Sequence, residues 1–332
     1  MKLVNETWNQ HFLSQAEQRL NAIDTSVKKR NMRIHSFRVH DRDKCSVTID
    51  SPHGAKIYRT LALDNLFTFR NVDAKLQENF ESLFERYERD IQKHTLSLLE
   101  KIDDEDSCIK LEILEIFVLK LLNTFRNPYC IRKTLNTFSM LGGVRPLDPM
   151  LAEVHARVQR SEVSSPVDYL DRLDVTKTEY EAWIDCLFLL LMRENEDPNF
   201  LELTVKGLFE DPVLMRNIGL YVYSDEGGRV LVSDRSFVQM SEDDFHLAYA
   251  FNLTSHAFIF YSFVDIETQT WEAVSIDVLA AFEKASYPIR VQIERDNLSI
   301  LEKYNGLCVY QCSSQVFCSS MSPYGINVIN SF

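Results

Sequence analysis

The chain has 332 residues, a formal net charge of −13 at pH 7, and 45% hydrophobic and 26% charged residues. This composition is typical of a globular protein with a sizeable core, and it excludes a disordered, collagenous or coiled-coil chain. The acidic balance also disfavours non-specific coating of nucleic acid, which is itself a polyanion.

The cysteines and the short apolar runs favour a cytoplasmic location. The seven cysteines are odd in number and mostly dispersed, which favours reduced thiols over a disulfide framework. The most apolar runs, Ile113 to Leu122 and Leu187 to Met192, are far shorter than the roughly 20 residues of a membrane-spanning helix. The N-terminus turns polar too early for a secretory signal. We therefore expect a cytoplasmic protein with no membrane partner.

The first 60 residues predict a short helix followed by a small β element. Ser14 and Glu17 have the spacing of a capping box, which predicts a helix that continues to about Ile23. From residue 32 to residue 60, β-branched and aromatic residues occur in short runs. These runs predict two or three strands, with a turn at Pro52-His53-Gly54.

The middle of the chain predicts mainly helices. Apolar residues at three- and four-residue steps predict a long amphipathic helix from Asp73 to Asp103. Ser107 is then expected to cap a more apolar helix that continues to about Phe125. Further helices are predicted at residues 129–140, 149–160, 177–194 and 198–210.

The C-terminal third predicts a mixture of strands and helices. A hairpin is expected from residues 218–224 and 229–233 around an Asp225-Glu226-Gly227-Gly228 turn. The other predicted elements are strands at 256–264 and 307–311 and helices at 271–285 and 288–304. The pattern predicts an α+β fold, with a mainly helical region at 1–215 and a mixed region at 216–332, or one compact domain.

The sequence has no familiar catalytic or cofactor signature. It lacks the glycine-rich dinucleotide and Walker patterns, the zinc-protease pattern, the serine-hydrolase elbow and the EF-hand loop. Cys308, Cys312 and Cys318 lack the paired spacing of a zinc site, so we expect free thiols. An enzyme built on this chain would use a less common set of residues.

His11 is the first candidate for a functional residue. Gln15 and Arg19 follow it in the first capped helix, so the three side chains are expected around one helix end. Backbone N–H groups and the helix dipole at such an end favour phosphate or carboxylate ligands. The alternative is a structural histidine that donates to a backbone carbonyl.

A line of carboxylates on the long predicted helix is the second candidate. Glu78, Glu81, Glu85 and Glu88 repeat at three- and four-residue steps with basic residues between them. Such a line is usually a solvent-exposed helix face. The alternative is a general-base or metal-binding role for Glu85 or Glu88, because carboxylates on a rigid helix can share a divalent cation.

Three further features each allow two interpretations. Asp234 follows a predicted strand, where carboxylates often bind metal or act in catalysis, but Asp also stabilises turns. The basic segment Lys28–Lys44 predicts either a site for an anionic partner such as nucleic acid or a solvated loop and strand face. The apolar segment 110–125 faces either its own core or a protein partner, so the oligomeric state stays open.

The chain resembles a bacterial family described as domain of unknown function 4238. The resemblance rests on Asn9-Gln10-His11-Phe12-Leu13 with Gln15 and Arg19, on the Glu-rich helix, on Arg126-Asn127-Pro128, and on a late strand ending in Ser233-Asp234. Ser14 stands where the family usually has Pro, and Arg235-Ser236 replaces a small residue and Pro. The resemblance implies that these polar groups converge on one pocket.

Two hypotheses follow. The first is a phosphodiester or nucleotide hydrolase, a nuclease-like effector in phage defence, with Mg²⁺ or Mn²⁺ as cofactor. In it His11, Glu85 and Asp234 are catalytic, Glu88 and Asp234 bind metal, and Asn9, Gln15, Arg19, Arg126 and Ser233 bind ligand. The second is a non-catalytic sensor or interaction protein in which the same groups bind an anionic ligand.

Overall fold

The computed structural model describes residues 3, 7–71, 76–104, 107–163, 167–193, 197–241, 246–265 and 289–329. The chain forms two compact units. The first comprises Met1–Arg19, Lys29–Asn31 and Lys56–Thr204, and the second comprises Leu20–Lys28, Met32–Ala55 and Val205–Phe332. The units therefore interleave along the chain and do not follow the division at residue 215 that the sequence predicts.

The first unit is mainly helical and the second contains most of the strands, so the fold class is α+β. The helices are α1 (Gln15–Leu20), α2 (Glu81–Lys101), α3 (Lys110–Phe125), α4 (Ile131–Thr137), α5 (Pro149–Arg160), α6 (Val167–Leu173), α7 (Lys177–Leu191), α8 (Phe200–Glu210) and α9 (Leu298–Gln311). None of the described helices is both long and apolar enough to cross a membrane.

Strands of the first unit form two small sheets. Their bounds are β1 (Asn9–His11), β5 (Ala62–Asp64), β6 (Thr68–Asn71), β7 (Leu76–Asn79) and β8 (Glu162–Val163). β1 pairs antiparallel with β5, which aligns His11 with Ala62. β6 lies between β7 and β8 in a three-stranded sheet.

An aromatic core holds the helices of the first unit together. Phe67 packs against Phe84 of α2 and Trp183 of α7, with ring centroids 4.7 and 5.7 Å apart. The Trp183 indole N–H donates to the carbonyl of Phe125 at the end of α3. Burial of such large rings contributes strongly to stability, and it fixes α2, which carries the carboxylates, against α3 and α7.

The observed helices agree with the predicted ones at some boundaries and not at others. The predicted helix start at Ser14 is confirmed, because Ser14 Oγ accepts from the Glu17 N–H as a capping side chain does, and it also donates to the Glu17 carboxylate. The helix at 149–160 is also confirmed. The prediction that a helix begins at Asp73 was wrong, because residues 76–79 form β7 and α2 begins at Glu81. Ser107 does not cap α3, whose N-cap is Ile109.

The second unit contains two larger sheets. Its strands are β2 (Arg33–Asp41), β3 (Ser46–Ile49), β4 (Ala55–Lys56), β9 (Leu214–Val222), β10 (Val232–Ser233), β11 (Val238–Gln239), β12 (His246–Thr254), β13 (Ala257–Asp265), β14 (Arg290–Arg295), β15 (Gln315–Cys318) and β16 (Asn327–Ile329). One sheet has the order β10-β15-β2-β3-β16, with β4 also paired to β2, and the other has the order β11-β12-β13-β9-β14.

Helix α9 packs against the sheets of the second unit. Its Leu301, Tyr304 and Cys308 are buried in a core cluster with residues of both sheets, and Tyr304 stacks on Phe258 with centroids 4.1 Å apart. The Arg42 guanidinium donates to carbonyl groups in the last turn of α9 and just after it, among them those of Tyr310 and Ser313. A cation at this end also complements the helix dipole.

Several C-terminal predictions were wrong. The expected hairpin does not form, because β9 pairs with β13 and β14, whereas β10 pairs with β15. The predicted helix at 288–304 and strand at 307–311 are replaced by strand β14 and by the single helix α9. The expected strand at 256–264 and the turn at Gly54 are confirmed. The predicted helix at 271–285 lies outside the described residues.

Candidate functional site

A polar pocket of about 430 Å³ lies in the first unit, beside the N-terminal strand and the first two helices. Its lining residues come from β1, α1, the turn at residue 29 and the first half of α2. They are Thr7, Asn9, His11, Gln15, Ala16, Arg19, Lys29, Glu81, Glu85, Glu88, Arg89 and Gln92. Six candidates named from the sequence therefore share one pocket: Asn9, His11, Gln15, Arg19, Glu85 and Glu88.

His11 ends strand β1 and is only 8% exposed. One side of its ring is held by a hydrogen bond to the backbone of Ile57, whereas Nε2 has no hydrogen-bond partner among the described residues. Burial lowers the pKa of His11 to about 4, and the positive charges of Arg126 and Arg19 act in the same direction. The imidazole is therefore neutral at pH 7, with one ring nitrogen available to a ligand.

Three carboxylates from one face of α2 also line the pocket. Glu81, Glu85 and Glu88 are spaced at i, i+4 and i+7, so their side chains project from the same side of the helix. Burial raises the pKa of Glu81 to about 7, and the charges of Glu88 and Glu85 raise it as well, against the opposing effect of Arg126. Oε1 of Glu81 is buried with no hydrogen-bond partner in the described part of the chain. Glu81 is therefore the carboxyl group that changes charge near neutral pH.

The spacing of the glutamates favours Glu85 and Glu88 as candidates and does not single out Glu81, although Glu81 shares that spacing. Glu81 belongs to the same three- and four-residue repeat as Glu85 and Glu88, and only its burial distinguishes it from them. Glu78 also belongs to that repeat, but it lies in strand β7, where its carboxylate pairs with Arg157 at 3.3 Å. Spacing alone could not separate these four residues.

Arg126 lies behind the pocket wall and not among its lining residues. Its side chain is fully buried, and Nη1 lies 2.6 Å from Oε1 of Glu88. Nε donates to the carbonyl of Phe12 and Nη2 donates to Oδ1 of Asn123. The guanidinium also lies over the Phe84 ring, 4.8 Å from its centroid. Arg126 therefore positions Glu88 and anchors the segment that follows His11.

A buried ion pair supports the same region. The Glu17 carboxylate accepts hydrogen bonds from Lys120 Nζ and Asn123 Nδ2 of α3, and both members of the Glu17–Lys120 pair are nearly fully buried. Buried charges are tolerated only when they are paired and hydrogen-bonded. The contacts with Lys120 and Asn123 meet this requirement for Glu17, and they also connect α1 to α3.

The remaining pocket candidates are held by local bonds. Arg19 Nη2 donates to Gln15 Oε1 at 2.9 Å, which places the guanidinium at the pocket wall. Asn9 Nδ2 donates to the carbonyl of Tyr58 at 2.6 Å. Lys29 and Arg89 add two cations to the lining. The pocket therefore presents cations and carboxylates around one neutral histidine.

Asp234 and Ser233 lie in the second unit, whereas the lining of this pocket comes from the first. The Asp234 carboxylate is 2% exposed and accepts from the backbone N–H groups of Ser313, Ser314 and Gln315 at 2.6, 2.7 and 2.9 Å. This pattern stabilises the turn between α9 and β15. It matches the turn interpretation that the sequence left open.

Four basic side chains of the segment Lys28–Lys44 form hydrogen bonds or ion pairs with other groups of the protein. Arg33 donates to the carbonyl of Gly54, Arg38 pairs with Asp50, Arg42 caps α9, and Lys44 pairs with Asp41. Lys29 alone of this segment lines the pocket. These contacts favour a structural role for Arg33 and Arg42, whereas Arg38 and Lys44 are 71% and 80% exposed and their surface ion pairs contribute little to stability.

No group of three or more His, Cys, Asp or Glu side chains within the described ranges has the arrangement of a metal site. The expectation of Mg²⁺ or Mn²⁺ therefore rests on the pairs of carboxylates in the pocket, Glu85 and Glu88 among them.

Comparison with known proteins adds no relative. No family model matches the sequence, and neither the curated proteins nor the solved structures contain a match. The function is accordingly inferred from the site itself.

Proposed function

We propose that the protein is a hydrolase of a nucleotide-sized phosphoester and that the pocket around His11 is its active site. The observation that carries the proposal is the buried Nε2 of His11, which has no partner in the described residues and lines a pocket together with carboxylates and guanidinium groups. A volume of about 430 Å³ is in the range of small-molecule sites, so a nucleotide or a short phosphodiester is the expected substrate.

His11 supplies the general base of the reaction, and Glu81 supplies the general acid. A neutral imidazole with a free nitrogen accepts a proton from the attacking water, so His11 acts as general base. Glu81 is the general acid, because a carboxyl group that remains partly protonated at pH 7 donates a proton to the leaving oxygen. Two groups whose environments push their pKa values apart are a recurrent feature of acid–base sites.

The cations of the pocket bind the substrate phosphate. Arg19 donates as a planar guanidinium oriented by Gln15, and Lys29 and Arg89 provide further positive charge. Charge-assisted bonds from guanidinium to phosphate oxygens are among the stronger polar contacts in proteins. Asn9 and Gln15 complete the set of candidate ligand-binding side chains.

The carboxylates fit a divalent cation that is shared with the substrate. Mg²⁺ is usually bound by one or two carboxylates together with phosphate oxygens and water, and Glu85 and Glu88 provide two carboxylates on one helix face. Such an ion would neutralise the phosphate charge. Arg126 holds Glu88 in position, so it sets where that carboxylate is presented.

Turnover of a defined panel tests the proposal. The purified full chain is incubated with nucleotides, dinucleotides and short DNA and RNA, in Mg²⁺, Mn²⁺ or EDTA, and products are separated by chromatography. We expect turnover that His11→Gln and Glu81→Gln each reduce by roughly 10²- to 10⁴-fold. His53→Gln and Glu100→Gln make the same substitutions at exposed positions and should leave the rate unchanged.

The opposite outcomes overturn the proposal. Wild-type protein that is inert towards the whole panel, or variants as active as wild type, would remove the hydrolase assignment. Nucleotide binding that depends on Arg19, without turnover in any metal, would instead identify the pocket as a sensor site for an anionic ligand.

A further inference from the structure

A second pocket, of about 510 Å³, lies wholly within the second unit. It is rich in hydroxyl groups and lies where the turn between β12 and β13 meets the loop after β9 and the residues after β15. Its lining includes Asp225, Arg229, Ser255, His256, Ser319 and Ser322. None of these residues takes part in the site around His11.

Three of the lining side chains form a hydrogen-bonded chain. Ser255 Oγ lies 2.8 Å from His256 Nδ1, and His256 Nε2 lies 2.9 Å from Oδ1 of Asp225. The serine hydroxyl, the imidazole and the carboxylate are therefore connected in the order that activates a serine nucleophile.

The backbone fixes the serine and the histidine. The Ser255 N–H donates to the carbonyl of Leu20, and the Ser255 carbonyl accepts from Val230 N–H. The His256 carbonyl accepts from Tyr223 N–H at 2.7 Å, and its own N–H donates to Thr254 Oγ1. These hydrogen bonds fix the backbone of both residues. The distance between Ser255 Oγ and His256 Nδ1 is therefore set by the backbone of the turn.

Arg229 fixes the carboxylate. Its Nη2 lies 3.1 Å from the same Oδ1 of Asp225 that contacts His256, and its Nη1 donates to the Asp225 carbonyl at 2.8 Å. Arg229 is therefore a positioning residue for Asp225. It also places a cation at the pocket wall.

The hydrogen-bond partners of His256 determine which ring nitrogen carries the proton. A carboxylate only accepts hydrogen bonds, so Nε2 of His256 carries the proton that is donated to Asp225. In the neutral ring Nδ1 then has a free electron pair, which accepts the bond from the Ser255 hydroxyl. Burial and the nearby Arg229 lower the pKa of His256, against the opposing effect of Asp225, so the neutral base form is favoured at pH 7.

We infer that Ser255, His256 and Asp225 form a second catalytic site that hydrolyses carboxylic esters with short, polar acyl groups. The hydroxyl-rich lining favours polar substrates over long alkyl chains, and the pocket volume suits a small molecule. This site is independent of the phosphoester hydrolase proposed above, because it shares no residue with it.

The reaction balances without any added reagent other than water. Ser255 Oγ attacks the ester carbonyl carbon while its proton passes to His256 Nδ1, and the imidazolium is stabilised by Asp225. The ester C–O bond then breaks, and the alcohol leaves with that proton. Water, deprotonated by His256, hydrolyses the acyl-serine and releases the carboxylic acid. In serine proteases the histidine Nε2 contacts the serine and Nδ1 contacts the aspartate. In this site Nδ1 contacts Ser255 and Nε2 contacts Asp225.

Covalent labelling of the full chain tests the inference. Wild-type protein is incubated with a fluorescent fluorophosphonate, and the labelled peptide is identified by mass spectrometry. Hydrolysis of p-nitrophenyl acetate is followed in parallel. We expect the label on Ser255, its loss in Ser255→Ala, and at least tenfold slower labelling in His256→Gln and Asp225→Asn.

Matched controls separate chemistry from folding. Asp225 is 87% exposed, so Asp225→Asn is expected to leave the fold intact, as checked by its melting temperature. Ser299→Ala removes an exposed hydroxyl of α9 outside this pocket and should label like wild type. An unlabelled wild type overturns the inference, as does equal labelling of wild type and Ser255→Ala or an Asp225→Asn protein that reacts at the wild-type rate.

Discussion

The guanidinium of Arg126 and the carboxylate of Glu88 form an ion pair that crosses from the interior of the first unit to the wall of its pocket. Nη1 lies 2.6 Å from Oε1, and the side chains are 0% and 29% exposed, respectively. A fully buried cation thus holds a partly exposed pocket carboxylate. Substitutions at Arg126 are therefore expected to affect both stability and the site.

Arg126→Met should lower the free energy of unfolding by about 3–5 kcal/mol, because it leaves the Phe12 carbonyl and Asn123 Oδ1 without their donor and Glu88 without its cation. Urea unfolding followed by circular dichroism measures the change. Arg86→Met breaks a more exposed pair with Glu202 and should cost at most about 1 kcal/mol. Equal losses in the two variants would contradict the role assigned to Arg126.

The buried pair between Lys120 and Glu17 should show strong coupling. Lys120→Met alone leaves a buried carboxylate without its cation and should cost about 3–5 kcal/mol. Combined with Glu17→Gln, the loss should be smaller than the sum of the two single losses by about 0.5–3 kcal/mol. Lys177→Met, in a surface pair with Glu181, is the matched control and should change stability by about 0.5 kcal/mol or less. Additive losses at Lys120 and Glu17 would show that their charges do not interact.

His11 should make the protein less stable in mild acid. Its pKa is about 4 in the folded protein and 6.5 for the free side chain. The unfolded chain therefore binds the proton first, and about 3 kcal/mol of stability is lost as the pH falls from 6.5 to 4. His11→Gln should lose less stability over this range, whereas His53→Gln should follow wild type. Parallel curves for wild type and His11→Gln would exclude a buried neutral histidine.

Glu81 should give the opposite pH dependence, because the protein should lose stability as the pH rises. Its folded pKa of about 7 lies above the ordinary value of 4.5, so the native state holds the proton more tightly. The corresponding stability is fully present below pH 4.5, and about 3 kcal/mol is lost as the pH rises to 7. Glu81→Gln should not show this loss, which chemical denaturation at several pH values will measure. The Glu100→Gln control should retain the wild-type dependence.

Asp234→Ala should destabilise the second unit, because three backbone N–H groups between residues 313 and 315 lose a buried acceptor. We expect a loss of about 3 kcal/mol or more, and a smaller one for Asp234→Asn, which retains one acceptor oxygen. Asp43→Ala, at an exposed position, should be close to neutral. A neutral Asp234→Ala variant would contradict the structural role of this carboxylate.

Part of the candidate site could be predicted from the sequence. The capping box at Ser14 and Glu17 placed His11, Gln15 and Arg19 around one helix start, because capping depends on neighbouring residues. The three- and four-residue spacing of Glu85 and Glu88 placed them on one helix face. Both groups line the same pocket.

Other features could not be predicted from local patterns. Val232 and Ser233 have the composition of a hairpin strand, but β10 pairs with β15, more than 80 residues further along the chain. Local patterns do not predict the Ser255–His256–Asp225 chain either, because the residues around Asp225 predict a hairpin turn. Residues 32–55 join the second unit although they precede most of the first.

The sequence by itself determined the α+β class, the larger helices and the clustering of polar residues near the N-terminus, because helix periodicity and capping involve residues only a few positions apart. Only the tertiary structure decided which strands pair, which charges are buried and which side chains share a pocket. Burial decides these outcomes: Glu81, Glu85 and Glu88 have the same chemistry and lie on one helix face, and burial is the largest of the effects that raise the pKa of Glu81 to about 7.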